Sequence, residues 1–184
     1  MTLSSLNTKH LAAPLLWLLA LAFTTLHAAT PEEVNKGLRG MLFDLKPGDI
    51  GLTRDNFPHP VWGMIMETGF ADGSFTLVAL ADGTTSLYFS SGGGVIGGGE
   101  HEVIREAAGH YLSGAQYFYD QAEKVDSYPT PDDGEVRFYF LGFDDVSLYA
   151  ANEKKLGVGA DKLSNLFYAA HGVIEELRKI PPAQ

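Results

Sequence analysis

The chain has no cysteine, which excludes both a disulfide framework and a lipid-modified cysteine at a processed amino terminus. Its stability must come from a packed core. Basic residues are the second scarcity: 13 Lys and Arg stand against 23 Asp and Glu, a formal charge of −10. Nucleic acid and anionic membrane surfaces repel such a chain. Acidity of this kind ordinarily serves solubility, and its specific use would be a basic protein partner. Long apolar runs are the third. Leu11–Phe23 falls short of the roughly 20 residues that a spanning helix needs.

Around that run the order of residues is that of a secretory signal: Lys9 and His10 before it, small Ala28 and Ala29 after it. Cleavage is expected after Ala29, with Ala28 as the alternative, although Leu26 or His27 then occupies a position where a small residue is usual. The reading is a signal peptide over 1–29 and a single globular domain over 30–184, periplasmic or secreted, with no membrane span after cleavage. A hydrophobic content of 45% with 11% aromatics suits one domain of that size.

Thr30-Pro31-Glu32-Glu33 has the residues of a capped helix start. The helix should run to about Leu45 and stop at Pro47-Gly48, with Gly37 and Gly40 each costing about 1 kcal/mol relative to alanine unless another backbone packs close. Val61–Thr68, Ser74–Leu80 and Thr84–Ser90 read as a three-strand meander turning at Asp72-Gly73 and Asp82-Gly83. In the third strand Thr85, Leu87 and Phe89 share one face and Ser86, Tyr88 and Ser90 the other, the pattern of a sheet buried more deeply on one side. Helical periodicity follows over Glu100–Ala122, with Val103, Ile104, Ala107, Ala108, Tyr111, Ala115, Phe118 and Ala122 as its apolar stripe. A hairpin of Glu135–Phe143 and Val146–Ala151 comes next, then a last helix that Asp161 can cap, with its stripe at Leu163, Leu166, Phe167, Ala170, Val173, Ile174 and Leu177. The sum is an α+β fold: an antiparallel sheet of about five strands, meander plus hairpin, with packed helices.

Between the third strand and the second long helix lies the densest glycine segment, Ser90-Ser91-Gly92-Gly93-Gly94-Val95-Ile96-Gly97-Gly98-Gly99-Glu100-His101. It marks a sharp bend or a close approach that side chains would obstruct. Gly92, Gly94 and Gly97 match the spacing of a dinucleotide fingerprint, but the preceding strand belongs to a meander rather than a parallel βαβ unit. No acidic strand end follows about 20 residues later. The Lys-Ser/Thr of a phosphate-cradling loop is also missing, and Glu100 and Glu102 would repel a phosphate. A bulge and tight turn explain one or two glycines well and all six poorly, so a structural turn and a loop that touches a partner both stay open.

The segment Leu77–Phe89 running into Gly92–His101, together with the Trp62-Gly63 strand and the helix around Leu166–Arg178, resembles the core signature of an uncharacterised family of small bacterial proteins. The resemblance implies a bacterial origin and a shared core, and it brings no catalytic residue. An exported leader departs from other members, so the compartment rests on that leader alone.

Other chemistry is sparse. His101 and His110 lie on nearly opposite faces of one helix and cannot share a metal, Glu106 and His110 are spaced as an exposed helix pair, and His171 borders the last apolar stripe, where a hydrogen-bonded edge histidine is expected. Trp62, Met64 and Met66 alternate as core, and Tyr117 and Tyr119 offer a contact surface. Ser91 lacks the Gly-x-Ser-x-Gly frame of a nucleophile elbow. No catalytic residue, cofactor or metal site is expected. The residues singled out for a ligand or partner are Tyr88, Ser90, Ser91, Gly93, Gly94, Gly97, Gly98, Glu100 and His101. The leading expectation is a non-enzymatic interaction protein, inhibitor- or immunity-like, that uses the glycine loop and the adjoining helix start. The alternative is a small-molecule binder or a hydrolase with a site under that loop, His59 or His101 acting as base and Asp82 as orienter.

Overall fold

Thr30 caps the first helix through a reciprocal pair: its hydroxyl accepts from the Glu33 N–H at 3.2 Å, and the Glu33 carboxylate accepts from the Thr30 N–H at 2.7 Å. The structure, a computed structural model, describes residues 30–180, and the signal read over 1–29 lies outside them. Helix α1 spans Pro31–Asp44 and a short 3₁₀ turn, Pro47–Ile50, follows it. Gly37 and Gly40 face open space. No backbone packs on them, and the helix is held instead by its sheet-facing side chains.

Strands β1 (Val61–Phe70), β2 (Gly73–Leu80) and β3 (Thr85–Phe89) form the expected meander, and β6 (Glu135–Gly142) and β7 (Val146–Asn152) the expected hairpin. The sheet is α+β and open, with every neighbouring pair antiparallel, but it has seven strands rather than about five, in the order β4-β3-β2-β1-β6-β7-β5. Both additions are edges: β4 is Gly94–Val95 and β5 is Glu123–Val125. Runs of two and three residues carry no readable period.

Helices α2 (Glu102–Phe118) and α4 (Ser164–Leu177) lie on one face of the sheet, over Met64, Met66, Leu77, Leu87, Phe138 and Phe140. A one-turn helix, α3 (Glu153–Gly157), joins β7 to α4. Helix α1 lies on the other face with Ile65, Val78, Leu80, Tyr88, Tyr139 and Leu141 beneath it. Both faces are therefore covered, which corrects the expectation of one more deeply buried side. The alternation along β3 is as read, since Leu87 joins the α2/α4 side and Tyr88 the α1 side.

Three further corrections follow from local geometry. A bulge at Trp62-Gly63, where β1 shifts register against Leu141 and Gly142, places Trp62 on the face opposite Met64 and Met66. Its indole N–H donates to the Gly142 carbonyl at 2.8 Å. Helix α2 starts at Glu102 rather than Glu100, because Gly97 is left-handed and Gly98–Glu100 forms a 3₁₀ turn. Val103 is accordingly 57% exposed, and Leu112 takes a buried place in the stripe. All seven stripe positions read for the last helix are buried.

Candidate functional site

The glycine segment is a hairpin rather than a loose loop. The Gly92 N–H donates to the Phe89 carbonyl at 2.9 Å and the Phe89 N–H to the Gly93 carbonyl at 3.1 Å, which folds β4 back along Leu87 and Tyr88. Gly92, Gly93, Gly94 and Gly97 have φ of 96°, 79°, 144° and 75°, a region that side chains rarely enter. A Cβ at Gly94 would overlap the Leu87 carbonyl, one at Gly99 the Gly83 carbonyl, and one at Gly98 the end of Leu177. Backbone geometry thus accounts for five of the six glycines, more than a bulge alone had seemed to need, while at Gly98 the obstacle is the movable end of Leu177. Asn35 of α1 ties the hairpin down by donating to the Phe89 carbonyl at 3.2 Å.

The folded hairpin holds Ile96 out at 72% exposure. Beside it runs an apolar groove of about 290 Å³, walled by Leu38, Met41 and Leu42 of α1, by Val78 and Leu80 of β2, and by Ser86 and Tyr88 of β3. Met41, which also lines it, is 70% exposed.

Comparison of the chain with protein-family models, with curated proteins and with solved structures gives no match.

The residues singled out from the sequence do not converge. Tyr88 walls the apolar groove. Ser90 and Ser91 line a separate cleft of about 740 Å³ with Glu32, Asp72, Asp132 and Asp133, and the Ser90 hydroxyl accepts from the Ser74 N–H at 2.8 Å. Glu100 and His101 are exposed just before α2 and line neither cavity. Gly93, Gly94, Gly97 and Gly98 shape the hairpin. Tyr117 is exposed beside a third cleft, walled in part by Phe57, His59 and Gln116, whereas the Tyr119 hydroxyl donates to Asp145 at 2.9 Å. Among the described residues no three His, Asp or Glu side chains are placed to hold a metal ion, and no helix is long and apolar enough to cross a membrane.

The most tightly built polar group is one that sequence reasoning passed over. Glu67 of β1, 1% exposed, receives Arg39 of α1 in a two-pronged pair, Nε to Oε1 at 2.7 Å and Nη2 to Oε2 at 2.8 Å. Thr76 donates to the same carboxylate at 3.3 Å. The Pro129 carbonyl collects donors from Arg39, Arg137 and Tyr139. Burial, with the Glu67 charge adding to it, pushes the Tyr88 phenol far above its ordinary value. Its hydroxyl is buried without a partner. Glu67 could have been noticed, since a lone carboxylate inside the run Val61–Thr68 must find a cation once that strand is central.

Proposed function

We propose that this chain is an exported, non-enzymatic interaction protein that grips a partner protein with the glycine hairpin and the surface beside it. The observation that carries the reading is Ile96, a large apolar side chain held out at 72% exposure by a hairpin whose glycines are fixed by backbone geometry. A lone exposed apolar group is ordinary, but Ile96 lines one apolar groove with the equally exposed Met41, and contiguous exposed apolar surface marks contact sites. The amino-terminal pattern of Lys9, the run Leu11–Phe23 and Ala28-Ala29 supports export, and the charge of −10 supports a basic partner. Inhibitor and immunity-type proteins work in this way.

The test is affinity purification of the protein from the envelope fraction of cells expressing the full chain, at low and at high salt. A discrete basic protein should co-purify at low salt and be lost with Ile96→Glu. A pattern unchanged by Ile96→Glu would contradict the reading.

A second reading, a small-molecule binder or hydrolase, has one observation in its favour, the cleft of about 740 Å³ beside Ser90 and Ser91. No histidine lines it, and the four carboxylates around it favour holding a cationic metabolite over activating a serine. Thermal-shift screening against amines, nucleotides and esters separates these uses.

A further inference from the structure

We infer that the groove between α1 and β3 is the docking site for an apolar segment of a partner protein, one whose apolar anchors are flanked by lysine or arginine. The inference rests on the interaction reading above and gives it a site and a chemistry. Three observations carry it.

The first is shape. Met41 and Ile96 come from different elements, one from α1 and one from the glycine hairpin, yet both line the same groove and stand 70% and 72% exposed. Isolated exposed apolar side chains are ordinary. Two that line one apolar groove form a contiguous patch, the kind that marks a protein contact. The second is size. About 290 Å³ is at the low end for a ligand pocket. It suits one or two large anchoring side chains rather than an enclosed ligand.

The third is charge, which chooses among the occupants. Asp44 and Asp49 flank the wall residues Leu45 and Ile50, and the Asp82 carboxylate holds the wall residue Thr84 through both its N–H, at 2.9 Å, and its hydroxyl, at 3.0 Å. Lys46 is the single basic residue in the stretch Met41–Leu52. A second copy would bring the same carboxylates, and another chain of formal charge −10, against this edge. A partner with cations beside its apolar anchors meets opposite charge instead.

The test uses protein purified from cells expressing the full chain and three short synthetic peptides: a Leu-Phe-Leu core flanked by lysines, the same core flanked by glutamates, and a Gly-Ser core flanked by lysines. Fluorescence anisotropy should show binding of the first alone. Met41→Glu and Ile96→Glu, both surface changes whose folding is checked by melting, should each weaken it by about tenfold or more. Equal binding of the Gly-Ser peptide would reduce the effect to bulk charge and overturn the inference, as would binding unmoved by both substitutions. Self-association of the protein in sedimentation, abolished by Met41→Glu, would assign the groove to a second copy and overturn it too. If the peptides fail while the envelope purification still yields an Ile96-dependent partner, the groove assignment falls and the interaction reading stands.

Discussion

Arg39 reaches from α1 to place both Nε and Nη2 on the carboxylate of Glu67, at 2.7 and 2.8 Å, in the middle of the sheet. Glu67 is almost wholly buried and Arg39 largely so. The pair fixes where α1 sits on its face, and so where the groove wall of Leu38, Met41 and Leu42 stands. Breaking a buried pair by removing one partner leaves an uncompensated charge, a loss of about 3–5 kcal/mol.

Arg39→Ala should therefore cost about that much in urea denaturation, whereas Arg39→Met with Glu67→Leu, which removes both charges, should recover most of it. A double variant as unstable as the single one would show that the pair contributes through more than its charges.

The glycines divide into three groups. Gly93→Ala and Gly97→Ala, where φ is left-handed but space is open, should cost about 1–2 kcal/mol each. Gly94→Ala, where φ is positive and the added Cβ also meets the Leu87 carbonyl, and Gly99→Ala, where it runs into the Gly83 carbonyl, should cost more. Gly37→Ala and Gly40→Ala, inside α1 and facing open space, should instead stabilise by about 0.5–1 kcal/mol. Thermal melting of the six single variants checks the ordering.

His171 departs from the expected hydrogen-bonded edge position. Its ring packs 4.2 Å from Phe167, centroid to centroid, and its Nε2 is buried without a partner. Burial, and then the charge of Arg178, hold its pKa below the ordinary value. The folded state therefore resists a proton that the unfolded chain accepts near pH 6.5. Its contribution should be complete above that pH and decline as pH falls through the ordinary value toward the depressed one. His171→Phe should flatten the fall in stability that sets in as pH drops through about 6.5. An unchanged curve would contradict the assignment.

Tyr111 lies on α2 with its hydroxyl buried and unpartnered, and burial pushes the phenol far above its ordinary value. An unmade hydrogen bond in the core costs about 1–3 kcal/mol. Tyr111→Phe should then leave stability unchanged or raise it, as read by denaturant midpoint.

Much of this architecture was legible because long periodic segments declare themselves: the stripe from Leu163 to Leu177, the alternation of Leu87 and Tyr88, and the box of Thr30 and Glu33. What was not legible depends on contacts distant in sequence. The side of the sheet taken by Trp62 turns on a bulge set by pairing with Leu141 and Gly142, and β4 and β5 exist only because longer neighbours template them. The scattering of Ser90, Ser91 and His101 away from Tyr88 follows from how the hairpin folds back. The glycines signalled that hairpin without giving its direction. Arg39 and Glu67 are 28 positions apart, and no local pattern joins them.

The central claim, that the glycine hairpin is a protein-contact surface, is tested most directly by a photo-cross-linking amino acid placed at position 96 in cells expressing the full chain. The account predicts one discrete adduct with a basic protein, absent when the same group is placed at the exposed position of Val158 on α3's end. Adducts of equal pattern from both positions, or none from position 96, would contradict it.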